Sequence, residues 1–316
     1  MTERKLQFTG GSSFIVSLPK DWVSKYGLRA GSVVYMATEN DGSLRLSPKK
    51  IEAGPRECVI DQAGAKNTLR RIIAAYVAGA DTIVVKGKDT AEACEEARLR
   101  LSGLEIVEEQ REKTVMRVLI HEEELNFNVL MKRLYIVSEV LCNLAIRAVS
   151  KREDVKLEAQ RRDNDADRLY LLIMRCLYNG TCANSPIKTL TAKGMERVAD
   201  HAELLCMTTA KLGPDPVLGS LLKDAVQLYA DAFKSLTEGK PDESIYDRCD
   251  AVKKQFQAKL MPLIQKEPRK EKVLALEGFR ESSMSIVNRA LSFSEMASNL
   301  QAMGVHTHEL EPITKA

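Results

Sequence analysis

Several residue types that mark specialised protein classes are scarce or missing from this 316-residue chain. Aromatic residues make up only 5% of it, and its seven cysteines include no Cys-x-x-Cys pair. An odd, scattered set of cysteines argues against a disulfide framework and against a thiolate zinc site. The most apolar run covers residues 72–80 and ends at Asp81, well short of the roughly 20 residues that cross a bilayer. We therefore expect no stable membrane insertion.

Motifs that carry catalysis are also missing. The sequence has no Gly-x-x-x-x-Gly-Lys loop, no Gly-x-Ser-x-Gly elbow and no Glu-x-x-His pair. Phosphate-loop nucleotide hydrolysis, serine hydrolysis and ferritin-like di-iron chemistry are therefore disfavoured. The first methionine is followed by Thr-Glu-Arg-Lys, without an apolar signal core. We expect a cytoplasmic protein that is not an enzyme.

Positive charge is concentrated at the N-terminus. The formal net charge is only +3, but residues 1–50 contain eight Lys or Arg against four Asp or Glu. The rest of the chain is therefore close to neutral. A surface that binds a polyanion such as nucleic acid is expected in the first fifty residues.

Changes in hydrophobic pattern divide the chain into five segments. Residues 1–50 have the pattern of short strands with one helical turn, and residues 51–120 that of a small α/β connector. From residue 121 onward every long segment has helical periodicity, so the fold is expected to be mainly α. The helices form either one antiparallel bundle or two three-helix bundles, at 121–212 and 213–304, followed by a polar tail at 305–316. The six predicted helices cover 123–149, 156–177, 189–212, 217–236, 243–264 and 271–303.

The first fifty residues contain a strand, a Leu-Pro turn, a short helix, a glycine and a hairpin, in that order. The runs are 14–22 (Phe-Ile-Val-Ser-Leu-Pro-Lys-Asp-Trp), 25–34 (Lys-Tyr-Gly-Leu-Arg-Ala-Gly-Ser-Val-Val) and 44–46 (Leu-Arg-Leu). This order resembles the AbrB/SpoVT family of swapped-hairpin domains. The resemblance, over residues 4–48, implies that two chains interlace their hairpins into one small β-barrel that presents basic residues to DNA. A unit this small buries little surface alone, which also favours a homodimer.

Four basic residues of this segment are the candidate contacts to the phosphates of double-stranded DNA: Arg4, Lys5, Lys20 and Arg29. Lysine and arginine neutralise phosphates in DNA complexes, and a dimer axis would double the number of contacts. The alternative is that the segment only dimerises and that these charges serve solubility.

Two neighbouring helices each carry a pair of acids four residues apart, Asp163 with Asp167 and Glu196 with Asp200. Residues four apart share a helix face, so like charges repel there unless a cation screens them. Four carboxylates form the hard oxygen set that Mg, Mn or Fe prefers over Zn. Because the acids lie away from the apolar stripes, the sequence predicts a site on the solvent-open outside of the bundle. The alternatives are a solvated acidic face and ion pairs with neighbouring arginines.

The same two segments resemble a known family. Residues 196–202 (Glu-Arg-Val-Ala-Asp-His-Ala) are similar to the helix motif of the PhoU phosphate-transport regulators, and residues 163–169 (Asp-Asn-Asp-Ala-Asp-Arg-Leu) to the motif of the preceding helix. The resemblance extends over 121–303 in helix order and length. It implies two repeated three-helix bundles that hold divalent or trivalent metal ions at the acid pairs. His201 is expected to form a hydrogen bond or pack in the core rather than bind metal.

The second predicted bundle departs from the motif. Leu291 and Met296 occupy the positions of the first acid and the histidine, and Lys253 and Lys254 stand where an acid would be expected. We therefore expect one metal site per chain.

An AbrB-like head joined to a PhoU-like body resembles the archaeal PhoU-type regulators and implies control of phosphate uptake. The resulting hypothesis is a homodimeric, metal-binding regulator that acts on double-stranded DNA. The alternative is an accessory protein that docks on a phosphate transporter ATPase or a sensor kinase, with a head that serves only for dimerisation.

Overall fold

The computed structural model describes residues 3–9, 13–38, 44–49, 56–61, 67–151, 153–179, 186–208 and 211–302. The chain divides into two compact units, Met1–Gly54 and Pro55–Ala316. The predicted tail at 305–316 lies outside the described residues.

The first unit consists of two β-hairpins and one short helix. Strand β1 (Gln7–Thr9) pairs antiparallel with β2 (Ser13–Ile15), and β3 (Tyr35–Thr38) pairs antiparallel with β4 (Leu44–Ser47). Helix α1 (Lys20–Lys25) lies between the hairpins in sequence. The positive φ of Gly27, +63°, ends the helical turn in the left-handed conformation that glycine adopts without strain.

Large apolar side chains of this unit are open to solvent in the single chain. The described side chains of the first unit are all exposed or half-buried. Phe8 and Phe14 stand opposite each other across the first hairpin, with ring centroids 5.1 Å apart, and are 62% and 69% exposed. Isolated two-stranded hairpins are marginally stable in water, so one copy of the unit lacks a sufficient core. The predicted swapped β-barrel requires a second chain and stays a prediction.

The second unit opens with a four-stranded sheet covered by two helices. Strands β5 and β6 are parallel, and β6 and β7 each pair antiparallel with β8, which gives the order β5-β6-β8-β7. Strand residues such as Ile60, Ile83 and Met116 pack against Ile72 and Tyr76 of the helix that follows β5, and together they form the core between sheet and helices. The elements are β5 (Glu57–Asp61), α2 (Thr68–Val77), β6 (Thr82–Lys86), α3 (Ala91–Arg100), β7 (Leu104–Gln110) and β8 (Lys113–Val118).

Six long helices form the remainder of the second unit. They are α4 (Phe127–Lys151), α5 (Lys156–Asn179), α6 (Pro186–Thr208), α7 (Pro216–Glu238), α8 (Ser244–Lys266) and α9 (Lys270–Ala302). Helices α4, α5 and α6 pack on one another, as do α7, α8 and α9, and the two groups meet along α4–α7 and α6–α9. One continuous hydrophobic core runs through both groups. Among the described helices, none is long and apolar enough to cross a membrane.

Helix α4 begins later than its predicted start at residue 123. Glu122–Glu124 form a 3₁₀ turn, and the Asn126 side chain accepts a hydrogen bond of 3.2 Å from the Val129 N–H. This side-chain cap satisfies a donor of the first helical turn, so the α-helix starts at Phe127.

A buried arginine joins the helices to the sheet. Arg175 of α5 is 1% exposed and donates hydrogen bonds to the carbonyl oxygens of Tyr76, at 2.7 Å, and Ala80, at 2.8 Å. Its Nε also donates to Glu122, whose side chain is 8% exposed. These contacts fix α5 against the segment that connects α2 to β6.

Candidate functional site

Helices α5 and α6 pack side by side and bring three carboxylates together. Asp167 of α5 and Glu196 and Asp200 of α6 each offer one oxygen, and these oxygens all lie within 4.8 Å of one another. No other such group of metal-ligating side chains occurs among the residues that the structure describes. Two oxygens bound to one ion at about 2.0–2.6 Å stand at most about 4–5 Å apart, so the spacing suits a single cation.

Asp163, the fourth predicted ligand, lies beside this group and is not one of its three members. Burial raises its pKa to about 7, and the charges of Glu203, Asp167 and Asp200 add to the effect. Its Oδ1 is buried and has no hydrogen-bond partner among the described residues. The Asp163 carboxyl therefore keeps its proton to a higher pH than an ordinary aspartate, and it becomes a ligand only after losing that proton.

Glu203 belongs to the same face of α6 and was missed by the sequence analysis. It follows Glu196 by seven residues and Asp200 by three, which places the three acids on one side of the helix. After burial, the Glu203 charge is the largest cause of the raised pKa of Asp163. The spacing i, i+4, i+7 is the signal that identifies it.

The expectation that these acids face open solvent is wrong for Glu196, which is 8% exposed. Helix α6 packs against α4, α5 and α9, so a residue opposite its main apolar stripe still meets a neighbouring helix. Asp163, Asp167 and Asp200 are half-buried. Glu196 thus lies within the helix packing, whereas the other three acids remain partly open to solvent.

A lysine of the same helix already neutralises part of this charge. Lys193 Nζ lies 2.7 Å from Glu196 Oε1 and 4.6 Å from the centroid of the Tyr170 ring. The ring and the carboxylate hold the ammonium group in place, because both attract a cation. The spacing of three residues between Lys193 and Glu196 predicts such a pair.

Two arginines also face the acids. Arg197 Nη1 lies 3.5 Å from Asp200 Oδ2, which supports part of the ion-pair alternative. Arg100, at the end of α3, lowers the pKa of Asp167 by its positive charge. The connector therefore contributes a charge to the site, which the sequence analysis did not predict.

The pKa of each of the three carboxylates is raised in spite of these cations. Burial is the largest cause for Asp167, Glu196 and Asp200, and repulsion from a neighbouring acid adds to it in each case. Glu196 Oε2 is buried and accepts no hydrogen bond from the residues that the structure describes, although Arg197 Nε lies 3.9 Å from it. A bound cation would pair with that oxygen and cancel the repulsion, so these residues fit a hard divalent or trivalent ion such as Mg, Mn or Fe.

His201 lies on another side of α6 and faces α9. Its Nδ1 is 3.4 Å from Ser282 Oγ, and the ring is half-buried. His201 is not part of the metal-ligating cluster of Asp167, Glu196 and Asp200.

The four candidate DNA contacts, Arg4, Lys5, Lys20 and Arg29, are all exposed in the first unit. Lys20 begins α1, and the Arg29 N–H donates a hydrogen bond of 2.9 Å to Ser32 Oγ in the turn that follows. None of the four forms an ion pair with another residue of the described ranges. Their charges are therefore available to a polyanion.

Comparison with known proteins finds a similarity in the first unit. Residues 7–53 match a family described as antidote-toxin recognition MazE, bacterial antitoxin. No curated protein matches the chain, and no solved structure matches it. The N-terminal unit is thus similar to MazE/AbrB-type domains, which is consistent with a DNA-binding or dimerisation role.

Proposed function

We propose that this chain is a cytoplasmic, homodimeric, metal-binding regulator of phosphate uptake, without catalytic activity, that acts on DNA through its N-terminal unit. The observation that carries the DNA-binding role is the MazE-type match over residues 7–53, a range that includes Lys20 and Arg29, which are exposed and form no ion pair with another described residue. Exposed lysines and arginines bind DNA by releasing counterions from its phosphates.

Dimerisation through the same unit is supported by its exposed apolar surface. In the single chain the side chains of Leu6, Val33 and Met36 are 65–68% exposed. Phe8 and Phe14 of the first hairpin are exposed to a similar degree. Burying such side chains against a second copy is favourable by roughly 25 cal/mol per Å². An interlaced barrel of two chains would supply the missing core.

The helical body would hold the metal and would be the sensing part of the regulator. Support for the metal comes from the three clustered carboxylates and from the buried Glu196 oxygen that accepts no hydrogen bond from the described residues. Support for phosphate uptake comes from the resemblance of residues 163–169 and 196–202 to the PhoU motifs. A phosphate transporter ATPase or a sensor kinase is the proposed protein partner of this body.

A DNA-binding selection from random oligonucleotides, followed by anisotropy titrations, tests the proposal. Lys20→Ala combined with Arg29→Ala should weaken binding and reduce the dependence of log K on log salt by about 0.9 for each phosphate that is no longer neutralised. The control, Lys234→Ala with Arg280→Ala, removes the same charge from exposed residues of α7 and α9 and should leave binding unchanged. Equal binding by the wild type and the Lys20/Arg29 variant would contradict the DNA role of this surface.

The second candidate function is that of an accessory protein whose N-terminal unit only dimerises. The observation that favours it is the exposed apolar surface itself, which calls for a partner chain whether or not DNA binds. Sedimentation of the free protein combined with the same selection distinguishes the two functions. A stable dimer that enriches no DNA sequence and shows no binding at low salt supports the accessory role.

A further inference from the structure

Helices α2 and α3 cover one face of the four-stranded sheet and leave a row of valines on the other. Successive residues of a strand point to opposite faces, and Ile60 and Ile83 point towards the helices. Val59 and Val84, beside them in the chain, therefore point the other way. The strand register pairs Val59 with Val84 and Val84 with Val115, so the three valines form one row across β5, β6 and β8.

The valine row lies outside both hydrophobic cores of the second unit. Val84 and Val115, on the central strands, are 7% and 8% exposed, but neither belongs to the core of the sheet and its helices or to that of the long helices. Val59 on the edge strand β5 and Val107 on the edge strand β7 are each 49% exposed. Val107 stands at a bulge, where it and Glu108 together oppose Val115. The row therefore ends in exposed apolar surface at both edges of the sheet, which a partner would remove from water.

Charge on this valine face is divided between the edge strands and the central strands. Glu57 and Asp61 lie on β5, two residues before and after its valine, and Glu108 lies on β7. The central strands carry Lys86, two residues after the valine of β6, and Arg117, two residues after that of β8. All five side chains are exposed. The valine face is thus acidic at its edges and basic in the middle.

Part of this charge is already compensated within the chain. Lys113 Nζ of β8 lies 3.5 Å from Glu108 Oε2. Glu105 stands opposite Arg117 in the strand register, but its Oε2 lies 3.9 Å from Arg98 Nη1 of α3. Neither of the two exposed basic residues on the central strands forms an ion pair with another residue of the described ranges. Both charges are therefore open to acids of another molecule.

We propose that the valine face docks on the same face of a second copy of the chain, with the two sheets crossed at about 90°. Contacts between identical faces are reciprocal, so each copy offers both a basic centre and acidic edges. Stacking the sheets with their strands aligned would set acidic edges on acidic edges and the basic centre on the basic centre. Lys86 and Arg117 lie at opposite ends of the central strand pair, because β6 and β8 are antiparallel. Crossing the sheets places those two ends over the acidic edge strands of the other copy, while the valine rows meet in the middle.

This sheet interface lies in the second unit and is independent of the proposed function, because it requires neither DNA nor dimerisation through the N-terminal unit. Phe14→Glu separates the two contacts in the full chain, since it places a charge in the apolar surface of the first hairpin, where Phe14 is 69% exposed. A chain with this substitution should still form dimers at micromolar concentration.

Charge reversal on the sheet, measured by sedimentation equilibrium of full chains that all carry Phe14→Glu, tests the proposal. Lys86→Glu with Arg117→Glu makes the centre acidic, and Glu57→Lys with Glu108→Lys makes the edges basic. Each variant alone should have a dimer dissociation constant raised by at least about tenfold, because like charges then face each other. A mixture of the two variants should associate as the parent chain does, because opposite charges face each other again at both crossings of the mixed dimer.

Reversal of two charges elsewhere is the control. Lys234→Glu with Arg280→Glu alters exposed residues of α7 and α9 and should leave the association unchanged. If a charge variant of the sheet does not fold, Val59→Asn with Val107→Asn replaces it and should weaken the association several-fold. Undiminished association of that variant would exclude the valine face as the interface.

Four other outcomes would overturn the proposal. The Phe14→Glu chain could be monomeric throughout the micromolar range, as it would be if another segment of the same chain covered the valines. The sheet variants could associate as the parent does, as they would if edge strands paired instead of faces. The mixture could associate no more tightly than either variant alone, or the control could weaken as much as the sheet variants, which would indicate a general effect of net charge.

Discussion

The guanidinium carbon of Arg175 lies 4.9 Å from the centroid of the Tyr76 ring, and the same guanidinium donates a hydrogen bond to the Tyr76 carbonyl oxygen. One residue of α2 thus binds one residue of α5 through both its side chain and its backbone. Glu122 supplies the opposite charge to this arginine. Because Asp163 and Asp167 lie on the same helix as Arg175, this contact also determines where the acidic group sits relative to the connector.

Replacing Arg175 by Met should lower the free energy of unfolding by about 3–5 kcal/mol, since Glu122 loses its positively charged partner and the carbonyl oxygens of Tyr76 and Ala80 each lose a hydrogen bond. Urea-induced unfolding, monitored by circular dichroism, measures this free energy of unfolding. Arg162→Met on the same helix is the control, because Arg162 forms only an exposed pair with Asp165 and should cost within about 0.5 kcal/mol. Equal costs for the two variants would contradict the role given to Arg175.

The helix ends of α7 could be predicted because their signals are local. Asp215 Oδ1 accepts hydrogen bonds from the Val217 and Leu218 N–H groups, and Gly239 adopts a φ of +62° after the last turn. The Asp-Pro start and the glycine stop are therefore visible in the sequence itself. Each signal acts within four residues of the helix end, so no knowledge of the tertiary packing is needed.

The burial of Glu196 and Arg175 could not be predicted in this way. The Arg175 partners Tyr76 and Ala80 lie 99 and 95 residues away in the chain. Glu196 is buried because α6 meets three other helices, whereas periodicity reveals only the most apolar of its faces. Periodicity did place Asp167 and Asp200 on facing helices, but the cations around them depend on the packing of the connector.

The pH dependence of stability should reveal Asp163. Its pKa is about 7 in the folded protein, against an ordinary value of 3.8, so the folded state keeps a proton that the unfolded state releases. The stability from this group is therefore fully present below about pH 4 and is lost as the pH rises to about 7. Asp163→Asn should stabilise the metal-free protein by about 1–3 kcal/mol at pH 8 and by clearly less at pH 5.

Urea unfolding at the two pH values, with a chelator present, measures this difference. Asp165→Asn is the control, because Asp165 is exposed on the same helix and pairs with Arg162. A stabilisation by Asp163→Asn that is the same at both pH values would refute the raised pKa as its cause.

Lys193 should compete with a metal for Glu196. Because its ammonium group lies 2.7 Å from Glu196 Oε1, a metal that uses this oxygen has to displace it. Lys193→Gln should therefore bind Mn more tightly than the wild type, by about tenfold, since one positive charge near the ion is removed. Titration calorimetry measures the affinity, and Lys211→Gln, which removes an exposed lysine paired with Glu271, is the control. Unchanged or weaker Mn binding by Lys193→Gln would show that the metal does not displace Lys193 from Glu196 Oε1.

The cluster of Asp167, Glu196 and Asp200 should make the metal-free protein less stable than a variant in which two of these acids are neutralised. Asp167→Asn combined with Asp200→Asn removes two carboxylates whose pKa values are raised by burial, and further by repulsion from Glu196 for Asp167 and from Asp167 for Asp200. We expect this variant to be at least as stable as the wild type in a chelator, because the exposed pair between Arg197 and Asp200 contributes little. Adding Mg, Mn or Fe should stabilise the wild type by about 2.7 kcal/mol at a hundredfold excess over Kd, and should leave the variant unchanged.

Scanning calorimetry with and without metal separates this interpretation from both alternatives. A solvated acidic face would show little response to metal and only small effects of the substitutions. A structural ion-pair network would lose stability when Asp167 and Asp200 become asparagine, because Lys193 and Arg197 would lose an attractive charge. The control, Asp247→Asn with Asp250→Asn, removes two exposed acids of α8 and should keep the metal response of the wild type. If Asp167→Asn/Asp200→Asn is destabilised and does not respond to metal, the metal site is excluded. If this variant is as stable as the wild type and has lost the metal response, the result supports the metal site.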